Sequence, residues 1–116
     1  NNDIVEIWGD GKAKRQFLYA KDSSKFLFIA ISNFEKMESI TNVGFNTDYT
    51  VQEYNLMIAK VVGYNVKFRY DLSKPVGNIR KYLNTDRQNL FNFKPDYSME
   101  QAIKETYNHF LKNLNE

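Results

Sequence analysis

The spacing of apolar residues changes several times along the chain, and each change predicts an element. Ile4-Val5-Glu6-Ile7 reads as a short strand that delivers Trp8 to a glycine-rich turn, Gly9-Asp10-Gly11. Both glycines can take positive φ on either side of the aspartate. Arg15 to Tyr19 suits a second strand, with Phe17 and Tyr19 on one face and Leu18 on the other. Asp22-Ser23-Ser24 then offers side-chain oxygens to the open N–H groups of a helix start. The run Lys25 to Ser32 can be read two ways: its β-branched and aromatic residues suit a buried strand, its length and preceding cap a buried helix. Glu35 to Ser39 is polar and loop-like, and Ile40-Thr41-Asn42-Val43-Gly44 reads as a short strand ending in a turn.

Past residue 50 the helical period is plainer. Thr50 and Glu53 form a capping box, and Val51, Tyr54, Met57, Ile58, Val61 and Val62 fall on one face of the helix that Gly63 closes. Val66 to Asp71 alternates as a strand does, and Ser73-Lys74-Pro75-Val76-Gly77 is a turn. Thr85 to Phe91 predicts a short helix, with Asn92 at its C-terminal position. A second capping box, Ser98 with Gln101, opens a last helix. Its apolar stripe is Met99, Ala102, Ile103, Thr106, Tyr107, Phe110, Leu111 and Leu114. No repeat, linker or low-complexity tract divides these segments, so the pattern predicts one α/β unit of short strands and three to four helices.

Composition narrows the chemistry more than the fold. With 116 residues there is room for one domain and a modest core, and the 42% apolar and 16% aromatic fractions are those of a folded chain. A net charge of +2, with no long basic run, argues against nucleic acid as a partner. The absence of cysteine and the single histidine, His109, remove most metal, thiol and disulfide chemistry. They fit a reducing, cytoplasmic setting. No apolar run approaches the roughly 20 residues of a membrane helix, and Asn1-Asn2-Asp3 is not the start of a signal peptide. The immediate entry into a strand leads us to expect a piece of something longer.

The first candidate site is the segment from Trp8 to Asp22. A rigid turn and the strand after it carry one indole, Trp8, and one guanidinium, Arg15. A flat apolar face beside a planar fork donor suits a nucleotide, although most turn tryptophans simply pack and most arginines are surface residues. The pattern hydrophobic-Trp8-Gly9-x-Gly11-x-x-x-Arg15-x-Phe17-Leu18, closed by Asp22, resembles the substrate domain of extended short-chain dehydrogenase/reductases that act on nucleotide sugars, the NAD-dependent epimerase/dehydratase family. The Ile40 to Gly44 signature fits as well, and the resemblance spans nearly the whole chain. It implies a helix over Lys25 to Ser32, Arg15 on the substrate diphosphate, and Trp8 beside the nucleotide.

The same resemblance covers Ser73-Lys74-Pro75-Val76-Gly77-Asn78-Ile79-Arg80-Lys81-Tyr82-Leu83-Asn84. It implies that Lys81 faces the substrate phosphates, with Arg80 beside it. Adjacent cations after a Pro/Gly turn can aim at an anion, and they can equally be a solvated pair. Val76 and Asn84 stand where the family has aspartates, which alters the hydrogen bonds expected around the sugar. The resemblance further implies an N-terminal Rossmann domain holding NADP(H) and a Ser/Tyr/Lys catalytic set. Neither lies in residues 1–116, so no catalytic, cofactor-binding or metal-binding residue is expected here. The implied substrate is a nucleotide sugar, a GDP-sugar first. The implied partner is the chain's own Rossmann domain, in an enzyme whose relatives often dimerise through it. Two alternatives stay open: another nucleotide-sugar epimerase or dehydratase, and a stand-alone, non-catalytic binding module.

Two motifs mislead. Tyr70-Asp71-Leu72-Ser73-Lys74 spells Tyr-x-x-x-Lys, but it runs off a strand into Lys74-Pro75, where a helix is disfavoured; extended geometry would separate the two residues by roughly 13 Å. Gly9-x-Gly11 lacks a third glycine and precedes a strand, so it offers a pyrophosphate no helix N-terminus.

Overall fold

The computed structural model describes residues 3–114. Its elements, in order, are β1 (Ile4–Trp8), β2 (Lys14–Arg15), α1 (Ala20–Ser32), β3 (Tyr49–Thr50), α2 (Val51–Val62), β4 (Lys67–Asp71), α3 (Asp86–Asn89) and α4 (Met99–Asn113). A single 3-10 turn, Phe34–Lys36, follows α1. The class is α/β, with short strands and four helices, as the pattern predicts.

The strands form two small ladders. β1 and β4 run parallel, from Ile4 opposite Lys67 to Trp8 opposite Asp71. β2 and β3 run antiparallel, Lys14 opposite Thr50 and Arg15 opposite Tyr49. The other edge of β2 bridges in parallel to Arg80, so the segment around residue 80 lies beside a strand made near residue 14. Both capping boxes are present, Thr50 with Glu53 and Ser98 with Gln101, and Gly63 closes α2 at φ 72°.

Four expectations need correction, each for a reason visible in the hydrogen bonds. The second strand stops at Arg15 and does not run to Tyr19. Beyond it the Phe17 N–H turns to the Tyr54 hydroxyl at 3.3 Å, and that hydroxyl donates to the Arg15 carbonyl at 3.1 Å. Asp22-Ser23-Ser24 is not the cap of α1, which starts at Ala20 after Tyr19 with no side-chain cap. Asp22 is buried in the first turn, where Oδ1 accepts the Asp96 N–H at 2.8 Å. Ile40 to Gly44 is not a strand, because side chains take the place of a neighbouring strand. The Gln88 amide accepts from the Gly44 N–H at 2.8 Å and donates to its carbonyl at 3.1 Å, while Arg87 donates to the Ile40 carbonyl. The short helix expected over Thr85 to Phe91 covers only Asp86–Asn89, as the Thr85 hydroxyl bonds Asn46 and caps nothing; Asn92 does take positive φ, 54°.

The core is small and partly polar. Ile7, Phe26, Tyr54, Phe93, Met99 and Ala102 are buried, and so are Asp22, Thr85 and Gln88. The radius of gyration, 17.0 Å, exceeds the roughly 13 Å of a compact chain of this length. Extents of 55 × 36 × 21 Å describe a slab. A slab leaves apolar faces open: the α4 stripe is buried at Met99 and Ala102 but open at Phe110 and Leu114, and Phe28 on α1 is 77% exposed. α1 is held mainly through the loop before α4, where the Phe26 and Phe93 rings meet edge to face at 5.1 Å.

Phe93 is nearly inaccessible, with the Phe26 ring edge-on against it and the Lys25 ammonium 5.9 Å from its ring centre. Phe93→Ala should therefore lower unfolding stability by about 3–5 kcal/mol, seen as an earlier urea midpoint with an unchanged m-value.

Candidate anion-binding site

The turn after β1 is built for close approach. Gly9 and Gly11 sit at φ 77° and 71°, and a Cβ on Gly11 would lie 2.8 Å from the Tyr70 ring. The turn docks on the start of α2: the Val51 N–H reaches the Ala13 carbonyl and the Gln52 N–H the Gly11 carbonyl, both at 3.0 Å. These bonds occupy donors that a helix N-terminus would otherwise present to an anion. The turn thus aims β2 at the segment around residue 80.

There the backbone interlocks. The Lys14 N–H donates to the Ile79 carbonyl at 2.7 Å, and the Lys81 N–H to the Lys14 carbonyl at 3.2 Å. Paired residues share a face and their neighbours take the other, so Lys14 and Arg80 point one way, Arg15 and Lys81 the opposite way. Asp48, one residue before β3, meets the first pair: its carboxylate accepts from Arg80 Nε and lies 3.9 Å from the Lys14 ammonium. The Arg80 guanidinium also lies 4.6 Å from the centre of the Tyr82 ring.

Beside this edge lies a depression of about 600 Å³ whose walls include Arg15, Gln16, Arg80, Lys81 and Tyr82. Arg15 is anchored rather than loose, with Nη1 donating to the carbonyls of Lys14 at 2.7 Å and Asn78 at 2.9 Å. The Lys81 side chain is exposed and pairs with no carboxylate among the described residues. Chain folding thus brings Arg15 and Lys81 to one wall, and places Arg80 at its edge with its charge answered. Trp8 is not part of that wall: it is 65% exposed at the end of β1, with the Lys74 ammonium 5.5 Å from its ring centre.

Tyr70 and Lys74 part company, as the extended reading requires, but the chain between them turns rather than running straight. The Lys74 N–H bonds the Asp71 carbonyl at 3.3 Å, Tyr70 packs on Gly11, and Lys74 covers Trp8. Among the described residues no glycine-rich turn joins a strand to a helix N-terminus. The residues present therefore do not fit a dinucleotide pyrophosphate. A second hollow, of about 540 Å³, runs between α2 and α4 beneath Phe17 and Tyr19 and is almost wholly apolar; burial pushes the Tyr54 phenol up there. Asp48 escaped the sequence reading because nothing in Asn46-Thr47-Asp48-Tyr49 marks it out, its partners lying 34 residues before it and 32 after it (48 − 14 and 80 − 48).

The NAD dependent epimerase/dehydratase family model matches residues 1–44, and the chain is similar in sequence and fold to nucleotide-sugar synthases and reductases. GDP-L-colitose synthase of Yersinia pseudotuberculosis is 45% identical over 111 residues, 96% of this chain and 36% of that protein. GDP-L-fucose synthase of Azorhizobium caulinodans is 36% identical over 110 residues, 95% of this chain and 35% of that protein. A crystal structure of a GDP-6-OMe-4-keto-L-xylo-heptose reductase from C. jejuni shares the fold at TM-score 0.87 and 22% identity, over 96% of this chain and 34% of that one. The chain spans about a third of the length of the curated relatives it matches.

The hydrogen bond from Arg80 holds the Asp48 carboxyl below its ordinary range, the charges of Arg80 and Lys14 add to this, and partial burial opposes it. A carboxyl depressed in the folded state stabilises the fold above its unfolded pKa, and that contribution disappears as pH falls through the folded value. Thermal midpoints should accordingly drop further between about pH 4 and pH 2 in the wild type than in Asp48→Asn. Parallel midpoint-against-pH curves would contradict the pairing.

Proposed function

We propose that this chain is the nucleotide-sugar-binding domain, residues 1–116, of a GDP-sugar epimerase/reductase of the GDP-L-fucose synthase kind. In such an enzyme GDP-4-keto-6-deoxy-mannose becomes GDP-L-fucose with NADPH as reductant. The reading rests on one observation: Arg15 and Lys81, far apart in sequence, share the wall of one depression. A forked donor and a point cation on the same wall suit a diphosphate. Trp8, at the mouth of the preceding turn, is assigned to the nucleoside side, and Arg80 to the edge of the phosphate site. NADP(H) and the proton-transfer groups belong to a Rossmann domain outside these residues, against which the open apolar faces of the slab would pack. A homodimer formed through that domain, and the cytoplasm as compartment, complete the proposal; no described helix is long and apolar enough to cross a membrane.

A second GDP-sugar stays in view for a specific reason. The identity to GDP-L-colitose synthase exceeds that to GDP-L-fucose synthase, and Val76 and Asn84 replace the family's aspartates. The nucleotide end is then common to both readings and only the sugar differs. A panel of GDP-, UDP- and dTDP-sugars assayed with the intact protein separates them.

Arg15→Ala and Lys81→Ala should each weaken GDP binding by the intact protein roughly 10- to 100-fold, the loss of one hydrogen bond to a charged group. Calorimetric titration reads this directly, and unchanged affinity in both variants would overturn the assignment. The isolated 116-residue chain should neither bind NADPH tightly nor oxidise it in the presence of a GDP-4-keto sugar. Turnover by that chain would place catalytic groups within it.

A further inference from the structure

We infer that Asp48 is a positioning residue that decides which of two adjacent cations meets the bound anion: it draws Arg80 to the rear of the strand, so that Lys81 joins Arg15 at the front. The inference rests on the diphosphate reading of that wall and deepens it. No local rule separates Arg80 from Lys81, since both follow the same Pro/Gly turn and either could reach a phosphate; the resemblance alone singles out Lys81, without a physical reason.

The geometry separates them. Lys14 and Arg80 are bridge partners, so alternation sends their side chains to one face and those of Arg15 and Lys81 to the other. The Asp48 side chain is only 10% exposed, whereas Lys14 and Arg80 are about half exposed. The carboxylate is thus the fixed member of the cluster and the cations are gathered onto it. Glu53 stands close by on this side, held by the Thr50 N–H at 2.7 Å and the Thr50 hydroxyl at 2.8 Å. Two carboxylates offset the two cations of that cluster, while Arg15 and an unpaired Lys81 leave the other side with uncompensated positive charge. The tie also spans three segments, the approach to β3, β2 and residues 79–81. It therefore reinforces the two backbone bonds at Lys14 that set where Lys81 projects. The Tyr82 ring, which also borders the depression, lies against the Arg80 guanidinium and restrains it beside the Asp48 carboxylate.

Asp48→Asn distinguishes positioning from competition by the sign of its effect. If Arg80 itself grips the anion and Asp48 merely competes for it, removing the carboxylate charge strengthens binding. Under the positioning role it weakens binding of GDP and of inorganic pyrophosphate by the intact protein about tenfold, a loss of the size expected for one hydrogen bond to a charged group. Asp48→Glu restores most of the affinity, and Arg80→Gln added to Asp48→Asn costs little more. Tighter binding in Asp48→Asn, or full additivity of the two changes, overturns the inference. A second measurement needs no ligand: amide exchange at Lys81 should accelerate in Asp48→Asn at a temperature where the protein stays folded, and unchanged exchange also overturns it. If exchange accelerates while the wild-type protein binds neither GDP nor pyrophosphate, the strand tie stands and the diphosphate reading falls.

Discussion

The arrangement depends on two backbone hydrogen bonds on either side of Lys14, one given to Ile79 and one taken from Lys81. They join parts of the chain that are distant in sequence, which the turn at Gly9 to Gly11, docked on α2, and the pairing of β4 with β1 bring together. Closing so long a loop carries an entropic cost that two bonds in water would not offset. The cost is met collectively, by the β1–β4 ladder, the capped start of α2 and the anchoring of Arg15 on Asn78. Once the bonds exist, strand alternation leaves no freedom about which side chains share a face.

Much of the remaining structure is held by side chains acting as backbone partners. Gln88, fully buried, reads Gly44 as a neighbouring strand would, and Asp22 fastens the loop ahead of α4 through the Asp96 N–H. Such bonds suit a thin slab, because a side-chain amide or carboxylate can satisfy an isolated loop where no second strand is available. They also limit the apolar core to a few aromatic contacts such as Phe26 on Phe93 and Phe17 on Tyr54. The apolar residues left outside, on α1 and along the end of α4, remain open to solvent.

Charge is sorted by the same scaffold. Of the four cations at Lys14, Arg15, Arg80 and Lys81, Lys14 and Arg80 gather on Asp48, Arg15 and Lys81 line the depression, and Arg80 also borders it. Positive charge is thus answered by carboxylates at Asp48 and left uncompensated at Arg15 and Lys81. Trp8 belongs to a separate corner where Lys74 already covers part of the ring, so the indole and the phosphate wall are neighbours along the chain without being one pocket.

The sequence by itself determined whatever depends on local physics. Both capping boxes, the α2 helix to Gly63, the β4 strand, the Gly9–Gly11 turn and the positive φ of Asn92 follow from residue type and short-range spacing. The family pattern around Arg15 and Lys81 was also legible, because it is written in contiguous residues. Tertiary structure decided what rests on distant partners: that Arg15 ends its strand because Tyr54 takes the next bonds, that Ile40 to Gly44 is served by Gln88 rather than by a strand, and that Asp22 holds a loop and caps nothing. It alone gave the difference between Arg80 and Lys81 a physical cause. Adjacent residues are equivalent to any local rule, and only the bridge at Lys14, with Asp48 behind it, gives them opposite faces.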